Sequence, residues 1–414
     1  MKPIRSRLTY NIGHFVDRAL GLIRQARTSL RGDVPLAWRN ISADRWRLVR
    51  STSGIAFAVL LMMLQFGFRN AFLDSALEII NQIDGDIFLT STTKFRFGRK
   101  DPFSRRQLYA ARAVNGVEWA RPIYGEWETS RWKNPQNHKI FTVQVLAFDP
   151  DEPVFRFPEI KAHVDELRQP DTAFADTRAR SFLGVAPAGT VTELARRNVR
   201  MVGAISLGPD FTTDGTLITG DRTFMKFFSP HSLDERELPD IELGVIKVRP
   251  GRSPAQVQRA LREALPAGVA VRTRAELLEL ETKFQNNVSP VGPIFMLGTA
   301  IGFIVGIMIT YQILYTDLSD QLPQYATLKA MGYGDAYLVR VVLEQATFYG
   351  LVGFVPALVC GVMLYRLIGE IALLPLRMSG GIVLETFVLT IGMCVLSGLL
   401  VVRRVLAADP AEVF

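Results

Sequence analysis

Four stretches of the chain are continuous apolar runs, and the long region between the first two follows the shorter rhythm of a globular domain. A helix needs about 20 largely apolar residues to cross a bilayer. The runs are "STSGIAFAVLLMMLQFGF" between Arg50 and Arg69, an uncharged stretch from Val288 to Thr316, Val341 to Tyr365 with one internal acid, and "TFVLTIGMCVLSGLLVV", which ends at Arg403 and Arg404. The pattern predicts an α-helical membrane protein with four transmembrane helices and a large α+β domain inserted between helices 1 and 2. The expected divisions are a leader at 1–50 with an interfacial helix, spans at 51–70, 288–316, 341–365 and 386–402, the inserted domain at 71–287, a short helix within 317–340, a short loop at 366–385 and a tail at 403–414.

Within the insert, "GDIFLTS", "KIFTVQVLAF", "RMVGAISL", "TLITG" and "IELGVIKV" are short, β-branched and bounded by turn-forming residues, so they read as strands. "SPAQVQRALREALPAG" reads as a helix with Ser253 as N-cap, Pro254 at the first position and Gly268 beyond its end. "VRTRAELLELETKFQNN" reads as a second helix leading down into the second span.

Composition supports this mixture. Mean hydropathy is +0.16 with 48% hydrophobic residues over 414 positions, yet 21% are charged. Residues 1–50 hold eleven Lys/Arg against three acids and so account for the whole net charge of +8. A basic leader before a first span predicts a cytoplasmic N-terminus. Four spans return the C-terminus to the cytoplasm and place the insert outside. The first apolar run begins near Gly54, too deep for a cleavable signal peptide, so it is expected to remain as an anchor. "DVPLAWRNISADRWRLVRS" mixes aromatics with arginines and reads as a helix lying on the inner leaflet.

Several chemistries find no support. The four histidines have no ligand spacing, and Cys360 and Cys394 fall inside apolar runs, so no metal site is expected. No glycine precedes a lysine, which removes the phosphate loop; any ATPase must be a separate chain. "GYGD" (Gly332 to Asp335) matches a motif of intramembrane aspartyl proteases, but no second membrane-embedded aspartate is present to share a proton, and Asp335 reads better as the cap of the third span. No charge lies in the middle of a span, which argues against a proton relay. No catalytic residue and no nucleic-acid partner are expected.

Two features favour packing. Gly298, Gly302 and Gly306 share one face of the second span and invite close approach by another helix, from the same chain or a second copy. Arg340 and Glu344 stand four apart at the start of the third span, where they can form a structural polar pair.

The segment "SDQLPQYATLKAMGYG" predicts a short helix with Ser319 or Asp320 as cap, Pro323 in its first turn and Gly332 at its end. Leu322, Tyr325, Leu328 and Met331 recur every third residue as an apolar stripe, with Gln324, Thr327 and Lys329 opposite. A helix this short needs a partner to be stable.

This segment resembles the cytoplasmic coupling helix of FtsX-like, MacB-type ABC permeases. "YATLKAMGY", the leader "PLAWRNISADRWRLVRSTSGIAFAVLLMMLQFGFRNA" and the ending "DPAEVF" are similar to the DevC-like branch in particular. The resemblance implies a homodimeric, non-catalytic permease. Its coupling-helix residues Leu322, Gln324, Tyr325, Thr327, Leu328, Lys329, Met331 and Gly332 would touch a cytoplasmic ABC ATPase that binds ATP and Mg2+. It also implies mechanotransmission across the membrane, a periplasmic adaptor, an outer-membrane channel, and export of lipids or other hydrophobic compounds. An FtsX-like signal transmitter that activates a cell-wall hydrolase or releases lipoproteins is the alternative. Relatives often carry an acid where this chain has Gln324, which implies a less electrostatic contact with the ATPase.

Overall fold

A computed structural model describes residues 45–209, 213–229, 239–331, 335–372 and 374–407. The expected interfacial helix of the leader lies outside them up to Asp44, and its last residues, from Arg45, are helical and continuous with the first span; Gly332 and the last residues of the tail lie outside. Two compact units are present. One takes Met1–Met63, Thr299–Gly361 and Ser379–Phe414; the other takes Leu64–Gly298 and Val362–Met378.

Helix α1 (Arg45–Asn81) is followed by β1 (Ile87–Ser91), α2 (Arg105–Arg112), β2 (Val117–Glu126), β3 (Arg131–Lys133), β4 (Ile140–Thr142) and β5 (Gln144–Phe148). Next come α3 (Pro158–His163), β6 (Thr172–Asp176), β7 (Val191–Leu194), β8 (Arg197–Ile205), β9 (Thr216–Gly220) and α4 (Asp221–Phe228). The second unit's last strands and helices are β10 (Leu243–Val248), α5 (Pro254–Ala264), β11 (Val269–Thr273) and α6 (Arg274–Asn287). The remaining helices are α7 (Val291–Asp320), α8 (Leu322–Ala330), α9 (Asp335–Ala372) and α10 (Gly380–Ala407). Helices α1, α7, α9 and α10 each contain a segment long and apolar enough to cross a membrane.

The strands form one eleven-stranded sheet in the order β11-β1-β10-β2-β5-β9-β6-β8-β7-β3-β4. The β5–β9 and β6–β8 pairs are parallel and the other pairs antiparallel. Alternating side chains feed two cores, because successive strand residues point to opposite faces. Ile87, Leu89, Val145 and Ala147 enter one core, which is covered by Leu108 of α2, Phe224 of α4 and Leu261 of α5. Phe88, Leu146 and Phe148 enter the other, covered by Ile79 and Ile80 of α1, Ile160 of α3 and Leu277 of α6. The last turns of α1 and the body of α6 therefore share one core with the sheet.

Several elements differ from the sequence expectation. Helix α1 continues past Asn70 to Asn81 because Ala71, Phe72, Ala76, Ile79 and Ile80 extend a buried face beyond the apolar run. Val271–Thr273 is strand, not helix: it pairs with β1, with Arg272 opposite Phe88. Thr273 then caps α6 through a reciprocal capping box with Glu276. "KIFTVQVLAF" splits into β4 and β5. Ser319 and Asp320 lie within α7, and the Ser319 hydroxyl donates back to the Tyr315 carbonyl at 2.8 Å, so Ser319 does not cap α8. Ser253 occupies the N-cap position of α5 with extended backbone and Pro254 follows it, but its side chain makes no capping bond.

Candidate functional site

Helix α8 is a nine-residue helix between α7 and α9, separated from α7 by Gln321 alone. Pro323 in its first turn costs no bond, since the first amides of a helix have no partner there. Tyr325 is 4% exposed, whereas Met331 is 62% exposed, and Gln324 and Thr327 also face outward. Leu322 is half-buried. The expected uniform stripe is therefore corrected: Tyr325 points into its own unit, and Met331 does not share its direction. Three residues advance an α-helix by about 300°, so positions at that spacing drift round the axis by about 60° per step. Nothing is described for the Leu328 and Lys329 side chains, and Gly332 lies outside the described residues.

Tyr325 is buried close to the Asp317 carboxylate. Burial, then the nearby Asp317 carboxylate and Tyr337, push its phenol up to about 12. Asp317, at the end of α7, is 5% exposed and accepts a hydrogen bond from the Tyr349 hydroxyl of α9. Asp317 and Tyr349 thus join α7 to α9 directly beside α8. Asp317 is a site residue that the sequence analysis did not single out. A polar residue ending an apolar run, with tyrosines nearby on the neighbouring helices, was the available signal.

The three glycines of α7 all face α1 of the same chain. A Cβ on Gly298 would lie 2.6 Å from the Gln65 amide carbon, and one on Gly302 would lie 3.3 Å from Met62 Cγ. One on Gly306 would strike Met393 of α10 and lie 3.3 Å from Ala58 Cβ. Small residues at such positions let backbones approach without a side chain between them. The Ser397 hydroxyl adds a polar tie by donating to the Ile307 carbonyl at 2.9 Å. Arg340 Nε donates to Glu344 Oε1 at 2.8 Å, with the two side chains 78% and 42% exposed. An exposed i,i+4 pair of this kind contributes about 0.3–0.5 kcal/mol in water.

At the other end of α1, a residue the sequence reading did not single out closes the helix. Arg274, the first residue of α6, donates to the carbonyls of Ile80 at 3.0 Å, Gly85 at 2.6 Å and Ile83. Ile80 lies in the last turn of α1, and Ile83 and Gly85 lie in the chain just beyond it; a cation there also suits the helix dipole. Arg69 of α1 donates to Asn286 of α6 at 3.4 Å. Helices α1 and α6 are thus tied at both ends of their shared length. Among the described residues no group of three His, Cys, Asp or Glu is placed to hold a metal.

Two family models match the chain. The MacB-like periplasmic core domain matches residues 50–264, about half of the chain, and the FtsX-like permease C-terminal model matches residues 293–410. Among solved structures, the periplasmic region of MacB from Actinobacillus actinomycetemcomitans is similar at 13% identity, covering 51% of this chain and 98% of that one with a TM-score of 0.34. The extracellular domain of the noncanonic ABC-type transporter YknZ from Gram-positive bacteria is similar at 10% identity, covering 46% and 99%, with a TM-score of 0.31. No curated protein sequence matches the chain.

Proposed function

The chain belongs to the FtsX-like, MacB-type ABC permease family, and we propose that it is the non-catalytic inner-membrane subunit of an export system that carries ATPase-driven motion to its large external domain. Helix α8 is the coupling helix, on the cytoplasmic side with both termini. A separate ABC ATPase binds ATP and Mg2+ and presses on the outward face of Gln324, Thr327 and Met331. Tyr325 and the Asp317–Tyr349 bond pass that push into α7 and α9. At its far end α1 shares a core with α6 and the sheet, and Arg274 of α6 bonds the Ile80 carbonyl. Two copies of the permease work with two ATPases. A periplasmic adaptor and an outer-membrane channel complete the path for lipids or other hydrophobic cargo, as the similarity to the DevC-like branch implies.

The observation that carries this reading is the placement of α8: a separate short helix between two spans, anchored by one buried tyrosine and presenting a polar and apolar face outward. A floppy loop could not transmit force, and a buried helix could not be reached. The test is co-purification in detergent with the ABC ATPase that accompanies the chain. Met331→Asp should lower ATPase retention at least tenfold while membrane insertion is unchanged. Equal retention would remove α8 as the contact.

A further inference from the structure

The loop after β1 carries "KFRFGRK" from Lys94 to Lys100, and part of it forms a continuous stack with α6. The Arg99 guanidinium lies 4.5 Å from the Phe95 ring centre, Phe95 lies 5.5 Å from Phe284 of α6, and Arg96 covers Phe284 at 5.3 Å. The loop is pinned on both sides of the stack. Lys94 makes a buried ion pair with Glu242 at 2.6 Å, and the Phe97 amide donates to Glu281 of α6 at 2.7 Å. Phe95 nevertheless stays 39% exposed, and Arg99 is exposed beside it.

The stack sits at a defined depth. The exposed apolar surface that continues into the α7 span begins at Val288, which is 66% exposed, and runs on through Ile294, Met296 and Leu297. Phe284 is four residues before Val288, about 6 Å along a helix. Arg69, the first charge after the apolar run of α1, reaches Asn286 at that same level. The headgroup layer on each side of a bilayer is about 5–7 Å deep. Aromatic rings collect at that depth, and a guanidinium offers a fork of N–H donors that matches a phosphate.

We infer that the Arg99–Phe95–Phe284–Arg96 stack binds the phosphate of an anionic phospholipid headgroup, in the leaflet on the domain's side. The rings seat against the glycerol region and the two arginines take the charge. A lipid held there pins α6 at the membrane surface immediately before the span. The inference rests on α7 crossing the membrane and is independent of any ATPase, so it can fail while the coupling-helix reading stands.

The full chain, delipidated in detergent and titrated with phosphatidylglycerol under native mass spectrometry, tests it. The wild type should retain phosphatidylglycerol in preference to phosphatidylcholine. Arg96→Gln with Arg99→Gln should weaken that binding by about fivefold per arginine, and Arg96→Lys with Arg99→Lys, which keeps the charge and loses the fork, should restore only part of it. Millimolar inorganic phosphate should not displace the lipid. Equal phosphatidylglycerol binding by the double glutamine variant, or displacement by free phosphate, would overturn the site. Depth is checked in nanodiscs, with Cys360 and Cys394 replaced by alanine and a fluorophore on Lys283→Cys. Headgroup spin labels should quench it more than a fluorophore on Ile140→Cys in β4, at the far end of the strand order. Equal quenching at the two positions would overturn the placement and leave the stack to a protein partner.

Discussion

The Arg274 side chain donates to the Ile80 carbonyl at 3.0 Å, and so the first residue of α6 caps the end of α1. The bond links residues far apart in sequence and joins the helix that leaves the first span to the helix that enters the second. Arg274→Gln should destabilise the external domain by about 1.5–3 kcal/mol, since it leaves the Ile80, Ile83 and Gly85 carbonyls without a charged donor. Thermal unfolding of the purified protein checks the stability. If the joint transmits motion, the same variant should keep ATP hydrolysis by the partner and lose transport.

Asp317 and Tyr349 should be energetically coupled. A double-mutant cycle of Asp317→Asn and Tyr349→Phe, followed by unfolding in detergent, should return an interaction of about 0.6–1.7 kcal/mol, the scale of hydrogen bonds between membrane helices. Additive effects would mean that the pair does not join α7 to α9.

Tyr325 makes the opposite prediction. Its hydroxyl is buried with no hydrogen-bond partner among the described residues. Removing an unsatisfied hydroxyl relieves its desolvation cost. Tyr325→Phe should therefore be neutral or stabilising, whereas Tyr325→Ala should cost about 3–5 kcal/mol by opening a cavity under α8.

Gly302 separates tolerance from clash. An added Cβ meets Met62 Cγ at 3.3 Å, and a longer side chain has nowhere to go. Gly302→Ala should retain a monodisperse peak on gel filtration in detergent, and Gly302→Leu should lose it. Normal assembly of the leucine variant would contradict the close approach of α7 to α1.

The external domain should weaken in acid through Glu126. Burial raises its pKa, but the bond from Lys100 at 2.6 Å and the Thr129 and Glu128 amides outweigh it, so the carboxyl titrates below its ordinary value of 4.5. A depressed carboxylate contributes stability above the unfolded pKa and loses it as pH falls through the folded one. Glu126→Gln should be about 1–3 kcal/mol less stable than wild type at pH 7, with the gap closing as pH falls below 4.5 through the depressed folded value. A gap that persists in acid would show that shape, not charge, matters there.

Much of the architecture was legible in the chain. The four spans are long enough that hydropathy alone finds them, and β1, β9 and β10 carry the β-branched, turn-bounded signature that strands need in a two-faced core. Other elements were hidden by competing signals. Val271–Thr273 precedes a strong helical pattern and was absorbed into it, although Thr273 and Glu276 already spelled a capping box that fixes the helix start. Strand β2 contains Pro122, Glu118 and Glu126 and alternates poorly, and its place next to β10 is set by pairing across more than a hundred residues. At α8 the residue types were read, but their directions were not. A three-residue repeat cannot say which member turns inward; in the fold it is Tyr325, which is buried while Met331 is exposed. Arg274 was invisible for a related reason, because its partners are carbonyls, which leave no trace in sequence.

The proposed function requires that motion begun at α8 reach the external domain. It is tested most directly by electron–electron distance measurements on the reconstituted permease–ATPase complex, with Cys360 and Cys394 replaced by alanine and a spin label on Ile140→Cys in each permease copy. Trapping the ATPase with ATP should shift the label-to-label distance relative to the nucleotide-free complex. Arg274→Gln should abolish that shift while hydrolysis continues. An ATPase that turns over normally in wild type while the distance distribution stays the same in every nucleotide state would contradict transmission to the domain.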